Sequence, residues 1–245
     1  MREDIKVIEY ESIGSTNAEA KRYAACAESY TPVLFVAKEQ SAGRGRLGRS
    51  FLSRRDRGIY MSLLYFTQKP LIDAVNVTTA AAVFAARAIE AATGNPTRIK
   101  WVNDVYNEGG KVAGILTETV KVGEYVAVIV GIGINVGEDD FPEELRGIAS
   151  TIGRISEGQK REIVESIADA LHVHAENPQS LEYMEEYRAR FMLLGEQVDL
   201  FSAGEVIARG KVEGVSDDGG LIFRREGSDD AEIIRTGEIS VRKRG

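Results

Sequence analysis

The sequence predicts an α+β protein: a mixed β-sheet carrying helices, followed by a small β-barrel. Three observations lead there. Strand-like and helix-like runs alternate irregularly as far as Phe191. The interior is divided by one long alanine-rich segment, Ala74 to Ala92. After Gly195 the texture changes to four or five short β-type runs separated by turns, packed into about 50 residues. Units of 1–193 and 194–245 follow from that change.

Taken in order, Thr16-Asn17-Ala18-Glu19 has the Thr-x-x-Glu spacing of a capping box and predicts a helix from Asn17 to Ala27. Val33 to Ala37 and Ile59 to Phe66 are rich in β-formers and read as buried strands. Ala74 to Ala92 is a helix, with Gly94 placed to end it in a left-handed conformation. Arg98 to Val102, Lys111 to Val120 and Glu124 to Ile134 read as strands, the last two joined by a tight Lys121-Val122-Gly123 connection. Helices follow at Lys160 to Ala175 and from Pro178, a favoured first-turn residue, to Phe191. The barrel strands are Gln197–Phe201, Val206–Val215, Leu221–Arg224 and Ala231–Ile234, with Asp217-Asp218-Gly219-Gly220 as a turn.

Composition narrows the function classes. The 245 residues include 38 acidic and 31 basic side chains, a formal charge of −7. That balance argues against bulk nucleic-acid binding, which requires a basic face. No apolar run reaches bilayer-spanning length, and the opening Met1-Arg2-Glu3-Asp4-Ile5-Lys6 lacks an apolar signal region. The expectation is a cytoplasmic protein with no membrane partner. Cys26 is the single cysteine, so an internal disulfide is excluded, and it reads as a small helix residue rather than a nucleophile. His172 and His174 lie two apart on a helix and point in different directions, a poor metal pair.

One segment defies the acidic total. Gln40-Ser41-Ala42-Gly43-Arg44-Gly45-Arg46-Leu47-Gly48-Arg49-Ser50-Phe51 sets three arginines among three glycines. Glycine lets backbone donors approach a ligand and lets a segment hinge. Arginine offers a planar fork for carboxylate or phosphate. A mobile cover closing over an anion is the reading, with a solvated basic loop as its plain alternative. Gly43, Gly45 and Gly48 also match G-x-G-x-x-G, but a helix does not follow them, so the dinucleotide-binding reading fails on context.

Four more segments join it. Ser15-Thr16-Asn17 supplies hydroxyls and an amide at a helix N-terminus. Lys100-Trp101-Val102-Asn103-Asp104 ends a strand with a cation, an aromatic plane, an amide and a carboxylate. Lys111-Val112-Ala113-Gly114-Ile115-Leu116 opens a strand, and Gly131-Ile132-Gly133-Ile134-Asn135 closes one. Each alone has an ordinary explanation, Lys111 as a strand-end charge, Trp101 as core and Asn135 as a turn residue.

In this order the five segments resemble the biotin protein ligases, whose pattern is Ser-Thr-Asn, Gln-x-x-Gly-Arg-Gly-Arg-x-Gly-Arg, Lys-Trp-Pro-Asn-Asp, Lys-x-x-Gly-Ile-Leu and Gly-x-Gly-x-Asn. Gly195 to Ser240 is similar to the family's SH3-like C-terminal domain, including the Thr236-Gly237-Glu238-Ile239-Ser240 ending. With Ser-Thr-Asn at residue 15, the resemblance is to the form without an N-terminal DNA-binding domain. Three departures stand out: Val102 replaces the usual proline, Leu47 a frequent arginine and Phe51 the usual tryptophan.

The resemblance implies activation of biotin by Mg·ATP to biotinyl-5′-AMP, then transfer of the biotinyl group to a lysine of a biotin carboxyl carrier protein. It implies ATP and Mg2+ as cofactors, with metal ligands unassigned, and a possible homodimer through sheet edges. By motif position Ser15, Thr16, Asn17, Gln40, Gly43, Arg44, Gly45, Arg46, Lys111 and Gly114 would bind biotin. Arg46, Arg49, Phe51, Lys100, Trp101, Asn103, Asp104, Lys111 and Asn135 would hold the nucleotide. Lys111, Arg44, Arg46 and Asp104 would be catalytic, with Asp104 either orienting the acceptor lysine or taking its proton. Two alternatives stay open: a lipoate- or octanoate-attaching protein of the same architecture, and a nucleic-acid-binding module using the arginine loop and barrel.

Overall fold

The computed structural model describes residues 2, 4–68, 74–235 and 239–244. Among these, strands β1 (Lys6–Tyr10), β2 (Val33–Ala37), β3 (Gly58–Thr67), β4 (Arg98–Lys100), β5 (Asp104–Asn107), β6 (Gly110–Val122) and β7 (Tyr125–Asn135) form one sheet in the order β1-β2-β3-β7-β6-β5-β4. Only β1 and β2 are parallel, so the sheet is mixed. Strands β8 (Gln197–Ser202), β9 (Glu205–Val215), β10 (Leu221–Arg225), β11 (Ala231–Ile234) and β12 (Ser240–Lys243) form a second, antiparallel sheet in the order β11-β10-β9-β8-β12.

The two faces of the large sheet are loaded differently. Helix α2 (Ala74–Thr93) lies on one face, with α3 (Glu157–Glu176) and α4 (Met184–Arg190) packed on it. Ala80, Ala81, Ala82, Ala85, Ala86 and Ala88 are all buried. Small side chains around the helix let it be enclosed by sheet and helices together, as an all-round apolar helix must be. Helix α1 (Thr16–Ala25) covers the other face through a smaller cluster of Ala20, Ala24, Phe35, Leu64, Ala127 and Ile129. Along β7 the residues on this face run Ile129, Gly131, Gly133, because strand side chains alternate. Loss of side chain toward the end of the strand opens a cleft beside α1.

Several expectations hold. Gly94 takes φ 74°, its N–H donating to Glu90 O, as a left-handed helix stop does. The turn at 216–220 closes with Ser216 N–H to Gly220 O at 2.9 Å. Others are corrected. Thr16 and Glu19 do not form a capping box: Ser15 is the cap, and Thr16 N–H instead donates to Gln40 Oε1 at 2.8 Å. The reciprocal box sits at Ser156 and Gln159, which starts α3 three residues before Lys160. Pro178 lies in a turn, and α4 begins only at Met184. The expected strand Arg98–Val102 stops at Lys100; residues 101–103 turn, with the Trp101–Val102 peptide in cis, into the unexpected β5. β1 and β12 are also additions. Of the expected Thr236–Ser240 ending, residues 236–238 lie outside the described residues.

Candidate active site

The arginine-glycine segment is a narrow hairpin rather than an open loop. Gln40 N–H donates to Ser53 O, Phe51 N–H to Gly43 O and Gly45 N–H to Arg49 O, at 2.7–3.0 Å. A Cβ on Gly43 would lie 2.4 Å from Phe51 O, so glycine is needed where the two limbs touch. The tip turns through Arg46–Gly48 with Leu47 at φ 58°, a left-handed conformation costly for leucine. The hairpin base is fixed to the segment just before α1: Ala42 N–H donates to Gly14 O and Ser41 N–H to Ile13 O.

Under the hairpin lies a cleft lined by Ser15, Thr16, Asn17, Gln40, Arg44, Gly45, Arg46, Phe51, Asn103, Lys111 and Gly114. Segments far apart in sequence therefore converge on one surface. Its polar part is a hydrogen-bonded cluster. Thr16 Oγ1 lies 3.1 Å from Gln40 Oε1, Gln40 Nε2 donates to Ser53 Oγ at 2.9 Å, and Ser62 Oγ lies 2.7 Å from Thr16 Oγ1. The cationic part pairs Lys111 Nζ with Asp104 Oδ1 at 2.6 Å and Arg46 Nη1 with Asn103 Oδ1 at 2.5 Å. Burial holds the Arg46 guanidinium below its usual pKa, and the Asp104 charge opposes that shift. The site is thus a slot with hydrogen-bonding groups and cations on one wall system, suited to a ligand bearing a polar head and an anion.

Glycines make the space. A Cβ on Gly131 would lie 2.0 Å from Asn17 Oδ1, one on Gly133 2.5 Å from the Phe51 ring, and one on Gly114 3.1 Å from Lys111 Nζ. The three glycines share the α1 face of β6 and β7, since Gly114 pairs with Gly133. A second cleft is lined by Arg44, Arg46, Arg49, Thr78, Val102 and Glu118, among others. Arg44 and Arg46 face both.

Other expected residues stand elsewhere. Trp101 is buried, its indole N–H donating to Gly219 O at 2.9 Å, so it joins the two sheets' domains. Asn135 braces the backbone beside Lys111, donating to Ser150 O at 3.0 Å and Lys111 O at 3.4 Å. Lys100 lies over the Tyr106 ring, and burial lowers its pKa. Gly43 serves hairpin closure and does not line the cleft. Ser62 and Glu118 were not anticipated; the available signal was a lone hydroxyl or carboxylate inside a β-forming run.

Among the described residues no group of three or more His, Cys, Asp or Glu is placed to hold a metal, and no helix is long and apolar enough to cross a membrane. His172 instead meets Asp4 at 2.9 Å, and His174 packs edge-on against Phe84 and Tyr183. Cys26 is the exposed C-cap of α1.

Residues 9–135 match the model of the Biotin/lipoate A/B protein ligase family. The chain is 46% identical over 130 residues to the Bifunctional ligase/repressor BirA of Bacillus spizizenii, a match covering 52% of this chain and 40% of that protein. It is 32% identical over 236 residues to the Biotin–[acetyl-CoA-carboxylase] ligase of Paracoccus denitrificans, covering 92% and 96%. The biotin protein ligase of Aquifex aeolicus, solved in complex with biotin and ATP, superposes with a TM-score of 0.77 at 29% identity, over 98% of this chain and 99% of that one.

Proposed function

The chain belongs to the Biotin/lipoate A/B protein ligase family, and within it we propose a biotin–protein ligase that adenylates biotin with Mg·ATP and passes the biotinyl group to a carrier lysine. The observation that carries this reading is the single cleft in which Ser15, Thr16 and Gln40 meet Arg44, Arg46 and Lys111. Relatives named for this activity and matched over most of their length support it.

In the first step biotin's carboxylate attacks the α-phosphorus of ATP and pyrophosphate leaves. Two anions must meet, so positioned cations lower the barrier. Lys111, paired with Asp104, would neutralise the carboxylate and the α-phosphate together. Arg44 and Arg46 line both clefts and would close over the acyl phosphate. In the second step the acceptor amine attacks the anhydride carbonyl and AMP leaves, with Lys111 again opposite the developing charge. Mg2+ bound with the nucleotide would neutralise phosphate charge, and no cluster of described carboxylates or histidines is built to hold it independently.

The boundary at 193–194 separates the ligase unit from the small barrel in this reading. The partner is a biotin carboxyl carrier protein in the cytoplasm, and a homodimer would form through the open sheet edge at β1. The lipoate-attaching alternative fits less well, because a purely apolar acid gives the polar floor at Thr16, Gln40 and Ser62 nothing to bind. Pure protein incubated with labelled ATP, biotin or lipoate, and a carrier domain tests the proposal. Biotin-dependent pyrophosphate exchange and carrier labelling are expected; exchange with lipoate alone overturns it.

A further inference from the structure

Asn103 and Asp104 are consecutive, and each holds one cation of the cleft. Asp104 takes Lys111, whereas Asn103 Oδ1 accepts from Arg46 Nη1 at 2.5 Å. The Asn103 amide is itself anchored. Its Nδ2 donates to Ile115 O at 3.0 Å, and Ile115 N–H donates back to the Asn103 main-chain oxygen at 2.9 Å. Asn103 and Ile115 are both buried, so water does not compete for these bonds. Turned over, the amide would aim Oδ1 at the Ile115 carbonyl and Nδ2 at the guanidinium, acceptor on acceptor and donor on donor. Strand β6 therefore fixes which way the amide points, and its oxygen faces the hairpin.

Arg46 stands at the hairpin tip, where Gly45 N–H donates to Arg49 O and Arg49 N–H to Arg46 O. Those bonds shape the main chain and leave the long side chain undirected, and the neighbouring Gly45 and Gly48 add no packing against it. Partners outside the hairpin direct it: Asn103 Oδ1 by the short bond and Ile239 O by a longer one at 3.4 Å.

We infer that Asn103 is a positioning residue, which acts on the bound adenylate through Arg46 and not by touching the nucleotide itself. It ties the hairpin tip to β6, the strand that also carries Lys111, so the two cations are set from one frame. A guanidinium carries several N–H groups, so being held by one of them is compatible with gripping a phosphate. The inference rests on the biotin-ligase reading and replaces the nucleotide contact that motif order suggests for Asn103.

The test loads pure protein with biotin and ATP and follows release of biotinyl-adenylate by rapid filtration. Only molecules holding the adenylate are counted, so unfolded protein drops out. Asn103→Ala should release it about ten- to a hundredfold faster, the worth of one hydrogen bond to a charged group. Arg46→Gly should act likewise, and the double variant should be no faster than Arg46→Gly alone, because the two residues form one unit. Factors that multiply would reveal an independent contact between Asn103 and the ligand and overturn the inference. An unchanged rate in Asn103→Ala overturns it too. Asn103→Asp separates holding Arg46 from bracing β6, since it keeps the acceptor oxygen and gives up the donor to Ile115. Release at or below the parent rate is expected there, and faster release overturns the inference even if the alanine variant does not fold. An unsubstituted protein that forms no adenylate overturns the ligase reading itself, a separate outcome.

Discussion

Lys111 Nζ lies 2.6 Å from Asp104 Oδ1, bridging the adjacent strands β6 and β5 at the mouth of the cleft. The carboxylate holds an ammonium that would otherwise swing on four methylenes. Lys111→Ala should lower the rate of biotinyl-adenylate formation by about 10² to 10³. Asp104→Asn should slow the same step by about ten- to a hundredfold, because the ion pair that holds Lys111 is lost. Single-turnover measurement of both half-reactions decides its role: slowing confined to carrier transfer would assign Asp104 to the acceptor amine.

Arg46 is tied to Asn103 Oδ1 and, more loosely, to Ile239 O at 3.4 Å. Arg46→Gly removes the side chain that roofs the space between the two clefts. Biotinyl-adenylate should escape faster and label bystander amines. Equal release rates from variant and parent in rapid filtration would count against this.

Gly131→Ala places a methyl where Asn17 Oδ1 already is. Asn17 must then give up its bonds to Ser62, Leu116 and Glu118, and α1 must shift. A stability loss of about 1–3 kcal/mol is expected, with biotin binding weakened at least about tenfold. Calorimetric titration alongside urea unfolding separates the two effects.

Trp101→Phe removes the indole donor to Gly219 O and leaves that carbonyl unsatisfied. The cost should be about 2 kcal/mol, or about 4–8 °C in melting temperature. An unchanged melt would show that the indole bond contributes nothing to joining the barrel.

His174 supplies a pH dependence. Burial lowers its pKa from 6.5 to about 4. The unfolded chain therefore binds a proton that the folded chain refuses, and stability is lost as pH falls from about 6.5 toward 4. Between pH 7 and pH 5 the loss from this group is about 2 kcal/mol. His174→Leu should flatten that part of the profile; an unaltered acid limb in urea unfolding would rule the histidine out.

Much of the fold was legible because its signals are local. Alanine content marked α2, Gly94 its end, and the turn at 216–220 the barrel. The failures share a cause in distant partners. Thr16 looked like a cap, but its N–H is claimed by Gln40 from 24 residues away. β1, with Lys6 and Glu9 in a five-residue run, is a strand only because β2 pairs with it. β5 was hidden because the turn at 101–103 follows a strand too short to announce itself. At the site, motif order found the hairpin and Lys111. Ser62 and Glu118 escaped because they reach the polar floor through Thr16 and Asn17, and such second-hand contacts leave no spacing to read.

Three donors of the larger unit, Trp101, Arg188 and Arg46, reach main-chain carbonyls of the barrel at Gly219, Val215 and Ile239. Every residue type carries a carbonyl, so these three links ask nothing of the side chains at Val215 and Ile239. Gly219 is the exception, because a Cβ there would press on Val75 and Thr79 of α2 at 3.2–3.3 Å. Substitutions at the seam should therefore be tolerated unequally, Gly219 and the three donors being the sensitive positions.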